Sequence, residues 1–220
     1  MPVTVEIRRG STRFVEREVG RLTRHAFSFG PVYDPDRLGF GPMVCHDDHL
    51  LGPGTGFETH RHSGLEIVTY VVSGSLRHTD PSGSTTVPAG SLAWLSTGDG
   101  VEHSELATDD GPCRFVQVWL RSERVGEPSY AVHEGASSLQ PLPGASLRRE
   151  QLDDGLPLTL PAAPLLHAYV VTGSLLRSSL AEPLSTGDSF EMTDEESHEL
   201  TAGVPTEVLI WTFSPDTSAG

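Results

Sequence analysis

The feature that most constrains this chain's fold is that it repeats itself. Tyr70-Val-Val-Ser-Gly74-Ser-Leu76 resembles Tyr169-Val-Val-Thr-Gly173-Ser-Leu175. The likeness continues in order: Ala89-Gly90-Ser-Leu with Thr186-Gly187-Asp-Ser, His103-Ser-Glu-Leu with His198-Glu-Leu, and Val118-Trp119 with Ile210-Trp211. The separation between copies shortens along the chain, so the second copy has lost several loop residues. Matches in one order and in strand-like context predict two tandem, related β-units.

The local signals agree. Residues 66–72 (EIVTYVV), 114–120 (RFVQVWL), 166–171 (LHAYVV) and 206–213 (TEVLIWTF) are rich in β-branched and aromatic side chains. Each is bounded by Gly, Pro, Ser or Asp, as strands between turns are. With 23 Gly and 17 Pro spread at short intervals, the chain reads as many short strands. Residues 104–109 are the best helical candidate. Pro141, Pro143 and Gly144 mark a break between the halves, and the expected domains are residues 1–135 and 136–220.

Charge and composition exclude several function classes. Thirty acidic residues face fifteen cations, all of them Arg, for a net charge of −15. Such a surface repels phosphate backbones, so direct nucleic-acid binding is not expected. No apolar run approaches the roughly 18–20 residues of a membrane helix, and the N-terminal residues lack the apolar segment of a secretion signal. Two cysteines, Cys45 and Cys113, cannot form a disulfide framework and read as free buried thiols. The expected setting is the cytoplasm, with no membrane partner.

The polar residues that carry chemistry cluster at His60-Arg-His62. In an extended strand, side chains alternate, so His-x-His puts both imidazoles on one face. His103-Ser-Glu105 repeats that spacing on a later strand. Two antiparallel strands would aim both pairs at one point. Three imidazoles and a carboxylate suit a borderline divalent ion and leave about two octahedral positions open.

These spacings resemble a known family. Gly54-x5-His60-x-His62-x3-Glu66 is similar to the first motif of the cupin superfamily, with Gly74 one residue late, and Pro88-Ala-Gly90 followed by His103 to the second. The closer resemblance is to the pirin family. It rests on His25-Ala-Phe-Ser-Phe29, Tyr33-Asp-Pro35, Gly39-Phe-Gly41, Gly52-Pro-Gly54-Thr-Gly-Phe57, Leu76-Arg-His78-Thr-Asp80-Pro-Ser-Gly83 and Ser96-Thr-Gly98-Asp-Gly100-Val-Glu-His103-Ser-Glu105. It runs from about Ser11 to Leu120, and short bacterial pirin-like proteins are the nearest type.

The resemblance implies an all-β bicupin, two tandem jelly-roll β-barrels. It implies one divalent metal ion held by His60, His62, His103 and Glu105, with Fe(II) the first candidate and Ni, Mn, Zn or Cu the alternatives. Glu66 fills the slot of a carboxylate ligand in other cupins; the pirin pattern places it near the site, orienting a histidine. In the second copy His60, His62 and Glu66 fall on Thr159, Pro161 and Leu165, so that half is expected to be metal-free.

The leading functional reading is a dioxygenase that opens a flavonol such as quercetin and releases carbon monoxide. Glu105 would take the substrate's hydroxyl proton, with Glu66 in reserve. The alternatives are an iron-dependent regulator that acts through a protein partner and a cupin isomerase or small-ligand-binding protein. His25, His46, His49, His78, His133 and His167 show no convergent spacing and read as ordinary residues, as do the acidic pairs Asp47-Asp48, Asp109-Asp110 and Asp153-Asp154 in solvated turns. Trp94, Trp119 and Trp211 read as core. A substrate pocket would draw its walls from Phe27, Phe29 and Phe40.

Overall fold

The computed structural model describes residues 4–214, and the described chain is built almost wholly of strands. Among these residues the one helical element is a single 3-10 turn, Gly10–Thr12. Residues 104–109 are not helical: residues 104–107 belong to the strand Val101–Ala107. Their inward positions alternate with period two, which is the pattern a half-buried strand needs. No helix is long and apolar enough to cross a membrane among the described residues.

The chain divides into two compact units, one of them residues 14–136. This N-terminal unit has a seven-stranded antiparallel sheet in the order Ser129–His133, Leu92–Ser96, Leu65–Ser73, Cys113–Arg121, Met43–Leu51, Arg21–His25, Phe14–Glu18. Opposite it lies a four-stranded sheet in the order Gly56–His62, Val101–Ala107, Ser75–Asp80, Gly83–Pro88. Leu51, Val71, Ala93 and Phe115 of the large sheet meet Leu76, Val87 and Ala107 of the small one in a buried core. Each large aliphatic or aromatic side chain so buried contributes about 1.5–3 kcal/mol. The two central strands, Leu65–Ser73 and Cys113–Arg121, are buried on both faces. That is why their sequences read as near-continuous apolar runs rather than as alternation.

The other unit joins residues 137–214 to the described N-terminal residues 4–13. Its six-stranded sheet runs Thr4–Arg8, Ser189–Glu195, Ala163–Thr172, Thr206–Phe213, Ala145–Leu152, Ser138–Leu142. Two short pairs complete it, Pro157–Leu160 with His198–Thr201 and Ser174–Leu175 with Leu184–Ser185. The expected division into residues 1–135 and 136–220 therefore needs one change at the N-terminus. Thr4–Arg8 pairs with Ser189–Glu195, Val5 and Ile7 pack on that unit's core, and Arg8 and Arg9 bond Glu191 and Asp188. The Pro141–Gly144 stretch is not a linker either. It is the turn of the hairpin Ser138–Leu142 to Ala145–Leu152. Asp47 and Asp48 likewise lie not in a turn but in the strand Met43–Leu51, buried, where they meet His25 and Arg114. Cys45 and Cys113 are buried thiols outside any disulfide, as expected.

The repeat has a concrete backbone meaning. Gly74 and Gly173 both adopt positive φ, 74° and 85°. At Gly74 an added Cβ would run into the carbonyl oxygen of Pro112, and at Gly173 into that of Pro205. Each proline precedes a central strand. The amides of Ala89 and Thr186 then donate to the carbonyls of Gly74 and Gly173, both at 3.1 Å. The shared Gly-Ser-Leu thus encodes one hairpin geometry twice.

This predicts unequal costs for formally identical substitutions. Gly90 also has positive φ, 82°, but open space around its Cα. Gly90→Ala should cost about 1–2 kcal/mol from backbone strain alone. Gly74→Ala should cost at least twice that, because a main-chain oxygen must move as well. Equal urea midpoints for the two variants would contradict the close-approach reading.

Candidate metal centre

Along each central strand of the N-terminal unit the inward positions run apolar, polar, apolar. Ile67, Thr69 and Val71 alternate on one strand, and Trp119, Gln117 and Phe115 lie beside them in register. The polar row is thus enclosed between apolar rows. Gln117 Nε2 donates to Thr69 Oγ1 at 3.0 Å and ties the row together.

The small sheet supplies the facing groups. In the antiparallel pairing of Gly56–His62 with Val101–Ala107, His103 lies opposite His60, and Val101 opposite His62. The register then shifts, so that Glu105 lies opposite Phe57 rather than Glu58. Two residues, Glu58 and Thr59, answer one, Ser104. Such a bulge lets Phe57 and His60, an odd number of residues apart, point to the same side.

The result is that His60, His62 and His103 present ring nitrogens within 4.8 Å of one another. Ring centroids of His60 and His103 are 4.5 Å apart, and of His60 and His62 4.8 Å. His60 and His62 are half-buried, while His103 is buried. His60 Nδ1 donates to its own strand's Glu58 carbonyl at 2.7 Å, and a carbonyl only accepts, so the lone pair of His60 is on Nε2. The Nε2 atoms of His62 and His103 are buried without a hydrogen-bond partner. A buried nitrogen left unpaired is costly unless something else satisfies it. Three converging ring nitrogens, with two buried Nε2 atoms unpaired among these residues, therefore fit a divalent ion.

The electrostatics favour ligation too. Burial, with His60 beside it, lowers His62 to about 4. Burial and the neighbouring histidines lower His103 to about 3. Both rings are neutral at physiological pH, the state in which imidazole binds metal.

The carboxylates are placed differently from each other. Glu105 is buried, and burial raises it to about 7 against a stabilising hydrogen bond from Gln117. Gln117 Nε2 lies 3.0 and 2.9 Å from its two oxygens. Trp119 Nε1 donates to Gln117 Oε1 at 2.8 Å, which fixes which end of the amide faces Glu105. Glu105 groups with His103 and His78, not with His60 and His62, so the four expected ligands do not close into one set here. Glu66 departs from expectation altogether. It is fully buried, and its carboxylate accepts hydrogen bonds from Trp94 Nε1 (2.7 Å), Ser96 Oγ (3.1 Å) and Ser122 Oγ (2.8 Å). On its strand it alternates with the inward positions 67, 69 and 71, so parity turns it away from the histidines. It is an internal tie between strands, not a base at the site.

His78, expected to be an ordinary residue, instead lies in the cluster with His103 and Glu105. Ser75–Asp80 pairs with Val101–Ala107 so that His78 lies opposite Glu105. Its i, i+2 partner Asp80 repeats the spacing that singled out His103 and Glu105, a signal available in the sequence. The rim is aromatic: His62 meets Trp119 at 4.6 Å between ring centroids, and Trp119 meets Phe29 at 5.7 Å. Of the three expected wall residues, Phe29 reaches this rim. Phe27 is buried, and Phe40 bridges to Met43. A cavity of about 410 Å³ lined by Gln151, Leu156 and Glu207 lies in the C-terminal unit and shares nothing with this cluster.

That unit repeats the strand pair without its ligands. His198 lies opposite Leu160, and Glu199 opposite Thr159. His198 Nε2 is 2.9 Å from Glu195 instead. Among the described residues, both groups of metal-capable side chains fall in the N-terminal unit.

Comparison with known proteins decides the family. The family model described as Pirin matches residues 9–120. A Mycobacterium tuberculosis protein, provisionally named a quercetin 2,3-dioxygenase, is 38% identical over 96% of both chains. The chain belongs to the pirin family. An Escherichia coli relative named quercetin 2,3-dioxygenase is 30% identical over 87% of this chain and 90% of its own. The crystal structure of the bacterial pirin YhhW from Escherichia coli in complex with nickel(II) superposes with a TM-score of 0.89, at 27% identity, over 96% of this chain and 100% of that one. The fold is accordingly a pirin-type bicupin.

If the three imidazoles hold an ion that the core does not need, His62→Ala should strip most of it and leave the fold intact. The hydrophobic core between the sheets does not pass through the site, unlike that of a zinc finger. Elemental analysis should find under a tenth of the parent's metal, with cooperative thermal unfolding retained. A variant that keeps its metal, or one that cannot fold, would contradict this.

Proposed function

We propose that this pirin is a metal-dependent dioxygenase that opens a flavonol such as quercetin. The observation that carries the reading is the convergence of three imidazoles beside a buried carboxylate that burial raises to about 7. The names of its full-length relatives support the choice of substrate class.

His60, His62 and His103 would hold the ion through Nε2, with Fe(II) the first candidate and Ni(II) supported by the E. coli relative's structure. When bound, such an ion supplies Lewis acidity toward a flavonol's oxygen donors and the electron exchange that dioxygen chemistry requires.

The chain's own residues supply the rest. Glu105 takes the proton of the flavonol hydroxyl. A base with a pKa near 7 is ionised often enough to accept a proton and basic enough to hold it. Gln117, locked by Trp119, keeps that carboxylate from rotating freely. Trp119 and Phe29 offer ring faces and edges to a planar aromatic substrate entering beside His62. Phe57, packed on His49 and Phe115, closes the floor and keeps water from the inner end.

Glu105→Gln tests the role directly. Three imidazoles remain, so the variant should retain most of its metal. An amide cannot take the hydroxyl proton, so dioxygen uptake with quercetin should fall by about 10²-fold or more. Turnover at the parent's rate would show that Glu105 is not the base. A parent that consumes no dioxygen with quercetin when loaded with Fe(II) or Ni(II) would remove flavonols as its substrate.

A further inference from the structure

His103 differs from His60 in what lies behind it. His60 leans on a carbonyl of its own strand, but His103 Nδ1 faces another imidazole, His78 Nδ1, at 3.4 Å. His78 is buried, and its ring lies flat on Tyr130, with centroids 3.7 Å apart and planes 6° from parallel. On its far side His78 Nε2 is 3.2 Å from Asp80 Oδ2. Asp80 is itself fixed: its other oxygen, Oδ1, accepts from the Ser82 amide at 2.7 Å and the Ser82 hydroxyl at 2.5 Å.

Donor and acceptor bookkeeping runs one way along this chain. An ionised Asp80 only accepts, so His78 Nε2 carries a hydrogen. Burial opposes Asp80's charge, but the Ser82 and His78 hydrogen bonds outweigh it and hold the carboxyl below its ordinary range. A neutral His78 with hydrogen on Nε2 has its lone pair on Nδ1. His103 Nδ1 must then be the donor between the two rings. That leaves the His103 lone pair on Nε2, the atom that is buried without a hydrogen-bond partner. The opposite assignment would bury an unsatisfied Nε2 hydrogen in the middle of the cluster.

We infer that Asp80 and His78 are positioning residues that select the Nδ1–H tautomer of His103 and so present its Nε2 lone pair to the metal. The inference rests on the metal site proposed above. A carboxylate behind a ligating histidine raises its basicity and fixes its ring. Here the carboxylate acts through an interposed imidazole, which sets His103 apart from His60.

The substitutions separate positioning from simple packing. In Asp80→Asn the Ser82 amide and hydroxyl still require an acceptor, so the new side chain's oxygen stays toward Ser82 and its NH₂ turns to His78. That places a donor where His78 needs an acceptor, reverses the His78 tautomer and sets two donors against each other at His103. A tautomer error of this kind is damaging even where geometry is kept. His78→Gln can accept from His103 Nδ1 through its carbonyl oxygen, whereas His78→Leu cannot.

The experiment measures Ni(II) affinity by chelator competition on the full chain, with the His103 tautomer read from ¹⁵N–¹H correlation spectra of metal-free protein. The parent should show Nδ1–H at His103. Asp80→Asn and His78→Leu should lose about 10- to 100-fold in affinity, and His78→Gln should stay within about threefold of the parent. Asp80→Asn should shift His103 to Nε2–H. A parent that binds no Ni(II) overturns the metal site itself. A parent that binds Ni(II) with His103 already in the Nε2–H form, or an Asp80→Asn variant of unchanged affinity, overturns the relay alone. The spectrum of the parent decides the question even if a variant fails to fold.

Discussion

The pairing of Gly56–His62 with Val101–Ala107 is the contact on which the site depends. Register opposes His60 to His103, and the bulge at Glu58 and Thr59 keeps Phe57 on the same inner side. A slip of one residue would turn every inward side chain of a strand outward. Register here is held at both ends. Val101 and Ala107 are buried in separate apolar clusters, and the polar groups lie between them. Burying polar groups between apolar rows is costly unless each is satisfied. Gln117 bonds Thr69 and Glu105, Trp119 bonds Gln117, and Asp80 bonds His78. What stays unsatisfied, the Nε2 atoms of His62 and His103, marks the place for an ion.

The same architecture explains why the second unit can keep the fold without the centre. Its hairpin repeats the glycine geometry of the first, and Val208, Ile210, Phe190 and Leu166 fill its core. Leu160 stands opposite His198, and His198 turns to Glu195. Nothing in the strand framework requires the imidazoles, so they could be lost from one copy without loss of the sheet. Fold and chemistry are carried by alternate positions of the same strands.

Much of this was legible in the sequence because period-two alternation is a local property. His-x-His and His-x-Glu announce shared faces on a strand, and four apolar runs mark the central strands of the large sheet in each unit. What was not legible depends on long-range pairing. Thr4–Arg8 carries no mark of its partner 180-odd residues away. The Pro141–Gly144 turn looks like a linker until its strands are seen to pair. Residues 104–109 resemble a helix only when their partners are unknown. His78 and Asp80 show their i, i+2 spacing in the sequence, but only the cross-strand register with Glu105 places that pair beside the cluster. Glu66 misled for the reverse reason: its spacing suits a ligand, but the parity of its strand points it toward Trp94, Ser96 and Ser122.

The central claim is that three Nε2 atoms of the N-terminal unit form one metal centre. Anomalous diffraction from crystals of the Ni(II)-loaded protein tests it most directly. The account predicts a single strong peak per chain, bonded to Nε2 of His60, His62 and His103, with His78 Nδ1 still facing His103. A peak ligated by His78, by Nδ1 of any of the three, or by residues of the C-terminal unit would contradict it.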